Sequence, residues 1–274
     1  MSQQRTPQKQ RASDRPQRLI VRRRDPALEE AIANDRIEIH FQPQIEPATG
    51  RVGGVEALAR WEGEQSAQQL FERAERAGLA ERLSHFAQRK ALRIAGAWTG
   101  PLAGLKLSIN LMAEDLARQG YEQWLLDEIA AAGLAPDRVT VEITECSLLA
   151  EQATAAERLG RLRSAGVAIA VDDFGTGYAS LAYLTNLPLD ALKIDRGLIA
   201  GLVDGDRDRI VVRAMIGLAR ELNLKVIAEG VETAAQLALL ADWGCDLYQG
   251  FLGAEALDER GLERFLAANF ADAA

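Results

Sequence analysis

From Asp25 onward, short apolar runs rich in Val and Ile alternate with longer stretches of helical character. The runs are "RIEIHF" at 36–41, "RVGGVEAL" at 51–58, "LKLSIN" at 105–110, "RVTVEIT" at 138–144, "GVAIAVDD" at 166–173, "ALKID" at 191–195, "LKVIAEG" at 224–230 and "DLYQG" at 246–250. Between most of them lie segments such as "QWLLDEIAAAGL", "AAERLGRLRSAG" and "RIVVRAMIGLARELN". Several of these close on glycine, where helices commonly stop. Strands alternating with helices imply a mostly parallel sheet, and about eight such units predict an α/β fold, a TIM-like (β/α)8 barrel. No helical stretch separates the first two runs. The segment "QPQIEPATG" joins them, and its Pro47 and Gly50 suit a turn, so one strand is expected to run antiparallel to its neighbour.

The last residues of the runs carry chemistry: Glu56, Asn110, Glu142, Asp172 with Asp173, Lys193, Glu229 and Gln249. In a barrel these ends converge on one face, where active sites of this architecture sit. Singly, each has a bland explanation: Glu56 caps a helix, Asn110 ends a turn, Lys193 pairs with Asp195. Their joint fall at consecutive strand ends is what points to a site. Several carboxylates buried together need compensating cations. The donors are all oxygen, with no histidine or cysteine among them, which favours Mg²⁺ or Mn²⁺ over zinc. Adjacent Asp172 and Asp173 are expected to alternate sides at their strand's end, one bridging two ions and the other serving the second. Gly175 and Gly177 would let the following loop fold tightly over the site.

Net charge is −8 and uneven. Residues 1–24 hold eight Lys/Arg and one acid, +7, which leaves −15 on the remainder. An acidic body does not suit a grip on nucleic-acid phosphates, so no nucleic-acid polymer is expected as a partner. The Arg/Gln-rich residues 1–24 read as a disordered tail or linker, a solvated tether, though the same charge also admits a contact with nucleic acid or a membrane. The single large domain is assigned to 25–274. Cys146 and Cys245 have no metal-type spacing and read as reduced core residues of a cytoplasmic protein. Neither an eighteen-residue apolar run nor a signal-peptide pattern is present, so no membrane insertion is expected. "DFG" at 173–175 matches a kinase metal-binding triplet without the rest of that signature. "DGDRDR" at 204–209 lacks the spacing of a calcium loop and reads as a helix start. His40 and His85 read as packing or surface residues.

Seven separated motifs, "VEALARW", "SIN", "EITE", "DDFGTGYASL", "LKID", "AEGVET" and "QGFL", resemble in order and spacing the EAL-domain phosphodiesterases, which hydrolyse the bacterial second messenger cyclic di-GMP. The resemblance covers about residues 26–260. It implies an EAL-type barrel and a two-metal hydrolysis yielding linear pGpG; the alternative it leaves is a cyclic di-GMP receptor with little or no turnover. Carried over by motif, Glu56, Asn110, Glu142 and Asp172 hold a first ion, and Asp172, Asp173 and Glu229 hold or orient a second. Lys193 and Gln249 engage the attacking water and metal-bound solvent. Glu145 and Glu232 are supporting carboxylates, with Glu145 anchoring the loop at 174–180. Gln42, Arg60 and Asp195 fall at substrate-binding positions. The 174–180 loop also implies a homodimer contact. The chain departs from the family pattern in a short, proline-free segment after "ARW" and in "GAEAL" at 253–257, where Glu255 stands near a usual basic position.

Overall fold

A computed structural model of the chain describes residues 24–64, 66–144, 152–175 and 181–271. Eight strands close into a barrel in sequence order: β1 (Glu38–Ile45), β2 (Val52–Arg60), β3 (Lys106–Leu111), β4 (Val139–Thr144), β5 (Ala168–Phe174), β6 (Ala191–Ile194), β7 (Lys225–Ala228) and β8 (Leu247–Tyr248). Each of the eight apolar runs is therefore a strand. β1 is antiparallel to both β2 and β8, while the other pairs are parallel, as the missing first crossover helix requires.

The boundary of β1 differs from its expectation. The strand continues through Gln42, Pro43, Gln44 and Ile45, so only 46–51 make the turn. A proline inside a strand is tolerated where its missing N–H faces no partner. Phe41 exchanges both backbone bonds with Leu257, away from β2. Pro43, two residues on, faces that same edge, along which β1 meets β8 only at Ile45↔Tyr248.

Period-two alternation explains the layering. Outward residues such as Leu107, Ile109, Val141, Ile143, Ile169, Val171, Leu192 and Val226 are buried under helices. Inward residues are small or apolar low in the barrel, where Ala170, Ala191 and Ile227 pack together with Leu247. Two residues further along those strands stand Asp172, Lys193, Glu229 and Gln249. The polar layer thus sits directly on an apolar floor.

The helices that cover the sheet include α1 (Pro26–Ala33), α2 (Ala67–Ala77), α3 (Ala80–Gly96), α4 (Ala113–Ala117), α5 (Tyr121–Ala131) and α6 (Gln152–Ser164). They continue with α7 (Leu181–Asn186), α8 (Arg196–Ala200), α9 (Asp206–Glu221), α10 (Ala234–Trp243) and α11 (Glu259–Ala271). "DGDRDR" does open a helix, with Gly205 as its cap. Among the described residues no helix is long and apolar enough to cross a membrane. Residues 1–23, Cys146, Gly177 and Glu145 lie outside the described residues, as does most of the 174–180 loop.

Candidate active site

The barrel rim falls where neighbouring strands part. β1 and β2 stay paired out to Glu38↔Arg60, but β2 and β3 pair no further than Glu56↔Ser108. Glu56, although mid-strand, is therefore at the mouth, level with Asn110 and Glu142, which face each other across β3 and β4.

Lys193 stands at the centre. It has no exposed surface, and its Nζ lies 2.6 Å from Glu142 Oε2, 2.7 Å from Glu229 Oε1, 3.2 Å from Asp172 Oδ2 and 3.3 Å from Glu56 Oε2. Gln249 Nε2 donates to Glu56 Oε2 at 2.7 Å and to Glu229 Oε1 at 2.9 Å. Asn110 Nδ2 donates to Glu56 Oε1 at 2.9 Å. The expected cluster is thus assembled, with one correction. Asp172 and Asp173 do not point to opposite sides. The β5–β6 register shifts between Val171 and Phe174, and Asp173 adopts φ +56°. This bulge re-aims Asp173, so that carboxylate oxygens of Asp172, Asp173 and Glu229 all lie within 4.8 Å of one another. Aspartate tolerates this left-handed conformation better than most residues. Gly175 at φ +107° then lets the chain pass Leu198, whose Cδ1 lies 2.6 Å from where a Cβ would sit.

Counting Asp173, five carboxylates surround one ammonium, a formal charge of −5 + 1 = −4. Burial pushes the Glu142 carboxyl up to about 8, against the pull of Lys193 and with the help of Glu56 and Asp172. Burial likewise raises Glu229 well above the carboxylate range and raises Asp172 and Asp173. Glu56 goes the other way: burial opposes its charge, but Lys193 and the bonds from Gln249 and Asn110 outweigh it. Lys193 is held well above the ordinary lysine value, since its four carboxylates overcome the burial that would lower it. A pocket so short of positive charge takes up either protons or cations. Its oxygen-only donors, gathered within contact of one another, fit hard divalent ions such as Mg²⁺ or Mn²⁺.

The remaining expected residues lie at graded distances. Gln42 pairs with Glu56 across β1 and β2, and its Nε2 donates to the Ala254 carbonyl at 3.2 Å. Arg60 is half-buried at the end of β2, where its Nη1 donates to the Ala59 carbonyl at 3.0 Å. Asp195 does not pair with Lys193; its side chain caps α8 by accepting from the Gly197 N–H at 2.9 Å. Glu232 is exposed ahead of α10 and makes none of the contacts of the cluster. Glu255 is exposed.

Sequence reasoning missed Gln44. It is 4% exposed, and its Nε2 donates to Glu142 Oε1 at 3.4 Å and to Gln249 Oε1 at 3.3 Å. By holding the oxygen of the Gln249 amide, it turns the NH₂ toward Glu56 and Glu229. The signal was its spacing of two from Gln42, legible only once β1 is known to extend that far.

The mouth opens into a cavity of about 560 Å³. Glu56, Asn110, Asp172 and Asp173 line one side, and Leu58, Phe71, Ala87 and Met112 supply apolar wall between the strand ends and helices α2 and α3.

A profile of the EAL domain family matches residues 25–256. The chain is 39% identical over 254 residues to the cyclic di-GMP phosphodiesterase NbdA of Pseudomonas aeruginosa, an alignment that covers 90% of this chain and 32% of that protein. It is 37% identical over 230 residues to the bifunctional diguanylate cyclase/cyclic di-GMP phosphodiesterase MucR of the same organism, covering 82% and 34%. It spans about a third of the length of these relatives. Among solved structures, the PaMucR phosphodiesterase in complex with c-di-GMP is similar with a TM-score of 0.81 at 36% identity, over 86% of this chain and 98% of that one. Klebsiella pneumoniae BlrP1, in a complex with manganese and cy-diGMP, gives 0.74 at 33% identity, over 81% and 56%. The profile spans all eight strands of the barrel, from the helix ahead of the first strand to the turn beyond the last, and the chain belongs to the EAL domain family.

Proposed function

We propose that this chain hydrolyses cyclic di-GMP to linear pGpG with the help of two divalent ions, Mg²⁺ or Mn²⁺. The observation that carries the reading is the −4 pocket at the barrel mouth, open to a cavity large enough for a dinucleotide's reacting end. Glu56, Asn110, Glu142 and Asp172 would hold one ion; Asp172, Asp173 and Glu229 would hold the other. Bound there, the ions would stabilise charge on the attacking and leaving oxygens of an in-line displacement and offset the repulsion between an acidic barrel and an anionic substrate.

The protein's own groups supply orientation. Lys193, held as an ammonium by its carboxylates in the ion-free site, would orient the attacking water. Gln249, aligned by Gln44, donates to Glu56 and Glu229 and so fixes the angle of two carboxylates. Arg60 offers a planar donor pair to a phosphate oxygen, and Gln42 and Asp195 contact the substrate beside it. Glu145 would support the ligand shell, and the 174–180 loop would form a contact with a second copy of the chain; Glu232, exposed ahead of α10, stands apart from that shell.

Purified protein incubated with cyclic di-GMP and Mn²⁺ should yield pGpG by chromatography, and Glu56→Ala should abolish it. Binding of cyclic di-GMP without any pGpG above the Glu56→Ala background would make the chain a receptor instead of an enzyme.

A further inference from the structure

In the α3 side of the cavity wall, which Ser84 and Gln88 help to line, lies a second buried polar cluster. Gln88 on α3 is 3% exposed, Ser84 1% and Asp115 not at all. The Gln88 Nε2 donates to the Asn110 carbonyl at 2.8 Å and to Ser84 Oγ at 3.0 Å, with Asp115 Oδ2 at 3.4 Å. Its Oε1 accepts from the Tyr121 hydroxyl at 2.8 Å. Ser84 Oγ donates to Asp115 Oδ2 at 2.7 Å, and the same oxygen accepts from the Met112 N–H at 3.1 Å. His85, stacked on Trp124 with ring centroids 4.4 Å apart, places Nε2 3.1 Å from Asp115 Oδ1.

The orientation of the Gln88 amide is over-determined. A backbone carbonyl only accepts, so the NH₂ must face Asn110, with its other N–H toward Ser84 Oγ, and the carbonyl oxygen must face the Tyr121 hydroxyl. The Asn110 carbonyl belongs to a stretch of β3 that has outrun β2, whose pairing ends at Glu56↔Ser108. Just beyond it, the Met112 N–H is tied to Asp115 as the chain turns into the short helix α4. The backbone of 110–112 is thus clamped from α3 and α4. The Asn110 side chain donates its Nδ2 to Glu56, and the residue lines the pocket.

We propose that Gln88 is a positioning residue for the cation pocket: by holding the Asn110 carbonyl, it sets the angle at which the Asn110 carboxamide meets Glu56 and an ion beside it. This rests on the two-cation reading of the site. Groups that orient metal ligands from behind typically change metal affinity or activity by about 10–100-fold when removed.

The test is calorimetric titration of the metal-stripped protein with Mn²⁺, which reads the pocket without turnover. Gln88→Met keeps length and removes both donors; it should weaken the tighter Mn²⁺ site by about tenfold. At saturating Mn²⁺, kcat should return to within about threefold of the parent, with KM for cyclic di-GMP unchanged. A matched control is Gln236→Met, which removes another buried amide, one that bonds the Ile199 carbonyl and caps α10. It should leave the Mn²⁺ affinity unaltered. Equal weakening in both variants, or none in a folded Gln88→Met, overturns the proposal. Should Gln88→Met not fold, Tyr121→Phe removes only the hydroxyl that anchors the amide; it should weaken Mn²⁺ about threefold, and unchanged affinity there overturns the proposal equally. A parent protein that binds Mn²⁺ but forms no pGpG sinks the hydrolase reading alone and leaves the Gln88 comparison intact; a parent that binds no Mn²⁺ overturns both.

Discussion

In the metal-free protein, stability should fall as pH rises from 4.5 toward 8, and Glu142 is the residue with which to show it. Folded, its carboxyl keeps a proton up to about pH 8; unfolded, it loses that proton near 4.5. Between those values the folded state binds more protons than the unfolded one, so the pH derivative of the unfolding free energy is negative there. The contribution is fully present below 4.5 and is lost as pH passes 8. The span of 8 − 4.5 = 3.5 units, at about 1.36 kcal/mol each, sets a ceiling of about 5 kcal/mol for this group. For a chain of this size, 1 kcal/mol moves Tm by roughly 2–4 °C, so a shift of order 10 °C follows. Glu142→Gln keeps the shape of the side chain and cannot titrate. Thermal unfolding of the parent and of Glu142→Gln in EDTA should give nearly equal Tm near pH 5 and diverge as pH approaches 8, with the variant the more stable. Mn²⁺ added at the upper pH should close the gap, because cations then take the place of the protons. Parallel curves across the window would refute the electrostatic account of the pocket.

Lys193→Met should destabilise the EDTA-treated protein by about 3–5 kcal/mol, since it leaves four buried carboxylates without their shared cation; denaturant titration reads the loss, and Mn²⁺ should recover part of it. Asp173→Asn should fold normally but bind Mn²⁺ with a reduced stoichiometry or affinity in calorimetry, whereas Asp173→Val should also lose roughly 1–3 kcal/mol of stability at its φ of +56°. Gln44→Leu should lower kcat with little change in KM, because it frees the Gln249 amide to rotate without touching the cavity wall; an unaltered kcat counts against that role.

The barrel and most of its polar layer were legible in the chain because both follow from local rules. Val- and Ile-rich runs separated by glycine-closed helices specify strands in series, and a polar residue repeated at each strand's end lands on one rim whatever the detailed packing. The first crossover also needed no structure: a segment of 42–50 is too short for a helix, so the pairing had to be antiparallel. Three features were decided only by tertiary contacts. Gln42–Ile45 join β1 because β2 offers them a partner and the β8 edge asks nothing of Pro43, and that extension is what brings Gln44 inside. Asp173 turns to the same side as Asp172 through a bulge set by the β5–β6 register, which strand alternation alone predicts against. Lys193 becomes the hub of four carboxylates, not the partner of Asp195, because the inward face of β6 points at strands β2, β4, β5 and β7 at once. Local sequence determines which residues reach the rim. Only closure of the sheet determines which of them meet, since those contacts join residues as far apart as Glu56 and Gln249 and no local period encodes them.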